Sequence, residues 1–281
     1  MIKLHRLTLV FLLLVAALYP LGLWLVFRLQ SASPLMLTVG LAAIGACLLC
    51  RKDLGSLGWG WKSWRSQWAS YLVPLGYATL AYGLIWSLDL GTWYDADQVA
   101  ALREGYSLES WSDGALITFH FVLTATVSFV LLLPSVLGEE VGWRGVLVPD
   151  LARRLGFTWV ALISGLIWAA WHWPIMLLGI YGNAEVPLGY QLTFFTITLV
   201  SMSVVMTYFR YATGSLWPAV IFHMSHNVFL QKFFSPLTAE TANSAWFLDE
   251  FGLVLPLVTG GFAVYFWRKG VRAFDPPART T

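Results

Sequence analysis

Glu139 and Glu140, His172, and the pair His223 and Asn227 interrupt stretches that are otherwise almost wholly apolar. Charged or imidazole groups at membrane depth are costly to bury and read as functional by default. The first cluster is Gly138-Glu139-Glu140-Val141-Gly142-Trp143-Arg144-Gly145. Adjacent helical residues point about 100° apart, so the two carboxylates cannot share one partner. Glu140 and Arg144 stand at i,i+4 and can pair, which leaves Glu139 free to face a cavity. A crowded, desolvated carboxylate suits a general base working near neutral pH. In Trp168-Ala169-Ala170-Trp171-His172-Trp173-Pro174, Trp168 and His172 share a helix face, so a ring flanks the imidazole. In Phe222-His223-Met224-Ser225-His226-Asn227, His223 and Asn227 share a face, with His226 close to it as a substitute or supporting group. Each cluster alone has a bland reading: an ion pair at a membrane edge, an interfacial histidine, or interhelical hydrogen bonding. Together they supply a base, imidazoles and an amide donor, the parts that activate a water and hold an oxyanion in acyl transfer.

The elements that position these groups follow from hydropathy. Of 281 residues 58% are hydrophobic and 11% are charged, against roughly 25% charged in a soluble domain. With 16 Trp, a residue enriched at headgroup depth, the chain reads as an integral membrane protein. A bilayer core of about 30 Å takes roughly 20 apolar residues per helix. Eight stretches fit or nearly fit: Leu7–Phe27, Pro34–Cys50, Ser70–Leu90, Ala115–Leu137, Phe157–Ile180, Tyr190–Tyr211, Leu216–Leu230 and Leu248–Trp267. Lipid cannot satisfy free backbone groups, so each is expected to be helical. The fold class is all-α and polytopic. It divides into N-terminal membrane helices with an outer loop (1–114), a catalytic membrane segment (115–231), and a last helix with its tail (232–281).

Charge supplies an orientation. Lys3, Arg6, Arg51, Lys52, Lys62, Arg65, Arg153, Arg154, Arg210, Arg268, Lys269, Arg272 and Arg279 fall on one set of alternate segments, with Arg144 counted on the same side. Asp89, Asp95, Asp97, Glu104, Glu109 and Asp113 fall in one loop of the other set, where the only bases are Arg28, Arg103 and Lys232. The positive-inside rule then puts both termini in the cytoplasm, and the expected location is the plasma (inner) membrane of a prokaryote. The run after Lys3 and Arg6 exceeds the roughly 7–15 apolar residues of a secretory signal, and no A-x-A site follows it, so it reads as a retained anchor. Trp59, Trp61, Trp64 and Trp68, interleaved with Lys62 and Arg65, predict a helix lying in the interface. Cys47 and Cys50 form a C-x-x-C without a second ligand pair and read as small apolar helix residues. The net charge of +2 and the absence of a basic track leave no case for nucleic acid.

On these residues the chain resembles the CAAX protease and bacteriocin-processing (Abi) family of intramembrane endopeptidases. That family's pattern is E-E-x-x-x-R, then F-x-x-x-H, then H-x-x-x-N. Glu139, Glu140 and Arg144 match the first element, His172 the second, and His223 and Asn227 the third. Trp168 replaces the Phe, a change that keeps an apolar ring. The match runs from about Ala115 to Leu230. The resemblance implies a catalytic cavity opening toward the cytoplasm, with Glu139 activating water and His172 orienting it or acting as acid. His223 and Asn227 would then hold the oxyanion, and Glu140 and Arg144 would shape the site. It also implies a peptide or protein substrate associated with the bilayer, prenylated or otherwise lipidated or not. The family is often described as metalloprotease, and zinc on Glu139, His172 and His223 is the alternative to the metal-free glutamate scheme favoured here. H-E-x-x-H is absent, as are a serine-protease G-x-S-x-G and an aspartyl G-x-G-D. A transporter should show polar, broken helices in both halves, whereas the polar groups here lie in one. A non-catalytic scaffold or immunity protein of the same fold is the remaining rival.

Overall fold

The computed structural model describes residues 6–275. Lys3, Arg279 and the closing Ala278-Arg279-Thr280-Thr281 lie outside the described residues. The chain is mostly helical: α1 Arg6–Leu29, α2 Ser33–Leu49, α3 Trp64–Ser87, α4 Ala96–Tyr106, α5 Asp113–Leu131, α6 Leu133–Glu140, α7 Phe157–Leu177, α8 Leu188–Thr213, α9 Trp217–His226 and α10 Val254–Phe274. Helix α6 continues through a π-helical segment, Val141–Leu147, into Val148–Leu151, and α9 continues through a second, Asn227–Phe234. Of these, α1, α5, α7 and α8 are long and apolar enough to cross a membrane, and α2 is a shorter apolar helix. The protein is therefore an integral membrane protein of all-α class, with helix in each of the eight expected stretches.

Successive long elements run back and forth between two ends of the bundle. At one end the Trp217 indole donates to the Trp59 carbonyl at 2.7 Å, Leu216 N–H donates to Gly58 at 2.7 Å, and Phe157 N–H donates to Asp275 at 2.9 Å. At the other end β1, Thr92–Trp93, pairs antiparallel with β2, Thr238–Ala239, and Tyr181 donates to Glu250.

Glycine sets how close the helices come, and so where the site falls. A Cβ on Gly40 of α2 would sit 2.9 Å from the Gly138 carbonyl of α6, and one on Gly142 would meet Val39 at 2.5 Å and Phe11 at 2.9 Å. Gly138 and Gly142 thus form the face of α6 against α1 and α2, turning Glu139 and Glu140 the other way. On α7 a Cβ at Gly165 would lie 2.9 Å from the Val200 Cα of α8. Van der Waals packing of such small residues is what holds helices together in lipid.

Three expectations need correction. The fourth stretch is two helices, because Pro134 lacks the N–H that a continuous helix needs, so the glutamates close a separate segment, Leu133–Glu140. The tryptophan-rich segment is not one interfacial helix. Leu54–Leu57 is a short 3₁₀ turn, Gly58 and Lys62 take positive φ of 99° and 58°, and only Trp64 and Trp68 lie on α3. The last helix begins at Val254 rather than Leu248, after a turn in which Asp249 takes a φ of 60°.

Candidate active site

Trp168 is the hub of the site. Its indole Nε1 donates to the Glu139 carboxylate at 2.8 Å, its backbone carbonyl meets His172 Nδ1 at 2.9 Å, and its ring lies 5.1 Å from that of His223. The Arg144 guanidinium sits 4.3 Å over the same ring. A second indole, Trp143, donates to Glu139 from 3.3 Å. The substitution of Trp for Phe in the second motif therefore adds a hydrogen-bond donor to the carboxylate, beyond the apolar ring expected from the sequence.

Glu140 makes the pair expected of it, accepting from Arg144 at 3.0 Å with both side chains fully buried. It also accepts from His223 Nδ1 at 2.9 Å. A carbonyl or carboxylate can only accept, so the Nδ1 atoms of His172 and His223 carry hydrogens. In each neutral ring Nε2 is then left with its lone pair. Arg210 of α8 donates to the Arg144 carbonyl at 2.8 Å and to Leu57, tying the π-helical segment to its neighbours. Of the three π-helical segments among the described residues, two adjoin site residues, starting directly after Glu140 and at Asn227, while the third, Thr124–Ser128, lies within α5; such turns recur at functional sites.

These groups meet on one cavity of about 140 Å³, lined by Glu139, His172, His223, Asn227, His226, Gln231 and Glu250 among apolar walls from Leu35, Trp168, Phe195 and Met202. At about 30 Å³ per water that is room for a few waters. Glu140 and Arg144 are not on its wall; they stand behind His223 and Trp168. His226 is not free to substitute for His223, since both of its nitrogens are bonded, Nδ1 to Tyr77 at 2.6 Å and Nε2 to Glu250 at 2.6 Å.

Glu250 is the residue that sequence reading missed. It is buried, accepts from His226, Tyr181 and Gln231, and reaches the cavity from the turn before α10. Its one sequence signal was an acid within a stretch read as a span. Leu35 and Glu250 on the cavity wall also mean that all three sections of the chain contribute to it. Among the described residues no three His, Cys, Asp or Glu side chains are grouped closely enough to hold a metal ion as they stand.

The cavity's exposed rim residues are Ala32 and Gln231, at the end of the bundle opposite Arg6 and Asp275.

Residues 119–229 match the family described as type II CAAX prenyl endopeptidase Rce1-like. CAAX prenyl protease 2 of Methanococcus maripaludis is 29% identical over 106 residues, 36% of this chain and 38% of that protein. The chain thus aligns with well under half the length of that curated relative. Helices α1 to α4, α10 and Glu250 lie outside the family match, whereas Glu139, Glu140, Arg144, His172, His223 and Asn227 all lie inside it. Through this segment the chain is similar to the CAAX proteases.

Proposed function

We propose that this protein is an intramembrane endopeptidase that hydrolyses a peptide bond of a membrane-associated protein by activating a water held between Glu139 and His172. The observation that carries the reading is the Glu139 carboxylate, gripped by two indole N–H groups on the wall of a cavity it shares with His172, His223 and Asn227. Two fixed donors set the direction in which the carboxylate's remaining lone pairs point, and a base fixed in that way needs little reorganisation when it takes a proton. The water oxygen attacks the carbonyl carbon while Glu139 takes its proton and His172 Nε2 accepts its second hydrogen bond. The carbonyl oxygen gathers negative charge beside the Asn227 amide. The His223 ring, held through Nδ1 by Glu140, stands on the same wall. Collapse breaks the C–N bond, and the proton on Glu139 passes to the leaving amine. Glu140 and Arg144 touch no reacting atom and act by positioning His223 and Trp168. The scheme uses no metal.

The chain crosses the membrane eight times, through the helices that lie within the eight apolar stretches, the last of them from Val254, with both termini in the cytoplasm of a prokaryotic cell. The test is a comparison of membrane proteins from cells expressing the wild type and Glu139→Gln. New C-termini confined to the wild type support the proposal. Identical sets of termini, with both proteins inserted at equal abundance, favour a scaffold that binds without cutting.

A further inference from the structure

We infer that the cavity is entered from the side of the membrane away from the cytoplasm, so that its substrates are peptide segments of exported or outer-leaflet-anchored proteins. The inference rests on the proteolytic reading for its substrate and on two independent observations for its direction.

The first is depth. His172 lies five residues before the end of α7 at Leu177 and fifteen after its start at Phe157. At 1.5 Å per residue that places it about 8 Å from the Leu177 end of α7 and about 22 Å from its Phe157 end. The near end carries the turn at Ala32, the segment 178–187 and the chain from Ser235 to Leu253. The cavity's exposed residues, Ala32 and Gln231, stand there too. Toward the far end the way is closed by a buried layer of Trp143, Arg144, Leu147 and Phe209, with Arg210 bonded across it to the carbonyls of Arg144 and Leu57.

The second is charge. The near end holds the acids of the 89–113 segment together with Glu185, Glu240, Asp249 and Glu250, against three bases, Arg28, Arg103 and Lys232. The far end holds Arg51, Lys52, Lys62, Arg65, Arg153 and Arg154, joined by Arg6 and by Arg268, Lys269 and Arg272 of α10. Short basic loops stay in the cytoplasm on insertion. The closed end therefore faces the cytoplasm and the open end faces out. A peptide lipidated and presented on the cytoplasmic leaflet meets the sealed layer. One anchored in the outer leaflet reaches Glu139 through the mouth beside Gln231.

Cysteine accessibility tests this. In a Cys47→Ala, Cys50→Ala background, single reporters are placed at Gln231→Cys and Glu185→Cys near the mouth and at Ser56→Cys at the basic end, all three positions being exposed. A membrane-impermeant maleimide is applied to intact bacterial cells, with lysed cells giving total reactivity. The expected result is labelling of the Gln231 and Glu185 reporters in intact cells and of the Ser56 reporter only after lysis. Should Gln231→Cys stay unreactive after lysis, Glu185→Cys carries the readout. Labelling of Ser56→Cys from outside, alone or along with the others, overturns the inference. Reversed labelling with Glu139-dependent cleavage intact sinks the sidedness alone. The expected labelling without Glu139-dependent cleavage sinks the proteolytic reading alone.

Discussion

Replacing Trp168 by Phe isolates one hydrogen bond in the site. The indole donates to Glu139 at 2.8 Å, the shorter of the two bonds that fix the carboxylate, while Trp143 holds on from 3.3 Å. Phe keeps a six-membered ring where Arg144 and His223 need one, 4.3 and 5.1 Å from the indole, so the loss is chiefly that of the N–H. A hydrogen bond to a charged group contributes about 1.5–3 kcal/mol. At 1.4 kcal/mol per tenfold, that corresponds to a fall in kcat of roughly 10- to 150-fold if the bond acts on the reacting carboxylate. The assay is steady-state cleavage by the protein in proteoliposomes, using a peptide spanning a C-terminus found in the membrane comparison. The account expects kcat to fall with KM little changed, because the indole positions the base and binds no substrate. A kcat within twofold of wild type in a folded variant would refute the idea that the indole positions Glu139.

Other outcomes follow from the same geometry. Arg144→Met leaves the fully buried Glu140 without its ion-pair partner. It should destabilise the protein by about 3–5 kcal/mol, seen as a lowered thermal midpoint in detergent, whereas an unchanged midpoint would mean that Glu140 is satisfied elsewhere. Burial pushes the Asp249 carboxyl, in the turn before α10, up from 3.8 to about 6, with Glu250 adding to the rise and the Tyr82 hydrogen bond opposing it. The folded state then holds this proton more tightly than the unfolded state, so stability falls as pH rises from about 4 to about 6. Asp249→Asn, which can still accept from Tyr82 and tolerates the positive φ of 60° there, should flatten that decline in midpoint-against-pH curves. Dialysis of the reconstituted enzyme against a chelator should leave cleavage unchanged, whereas loss restored by added zinc would replace the glutamate scheme with a metal one.

Much of the site was legible because spacing within one helix is local information. The i,i+4 pairing of Glu140 with Arg144 and the freedom of Glu139 to face a cavity follow from 3.6 residues per turn. What was illegible depends on elements far apart in sequence. Nothing near Glu250 indicates that a turn before the last helix folds back onto His226, 24 residues away. The donor role of Trp168 likewise needs α6 and α7 brought together across the bundle, which no spacing within either helix reveals. The break at Pro134 could have been read from the missing N–H, but hydropathy runs smoothly across it and concealed the second helix. The cavity's direction was lost for another reason: charge bias reports which loops stay in the cytoplasm, not the end at which a bundle is open.

The most direct test is the turnover of Glu139→Gln in proteoliposomes, measured beside wild type on the same peptide. The amide is isosteric and can still meet the Trp168 indole, so folding should persist while the proton acceptor is gone. General-base catalysis contributes about 10²- to 10⁴-fold, and the account predicts a loss of kcat/KM in that range with an unchanged thermal midpoint. Cleavage by Glu139→Gln within a few fold of wild type would remove this carboxylate from the chemistry and the account with it.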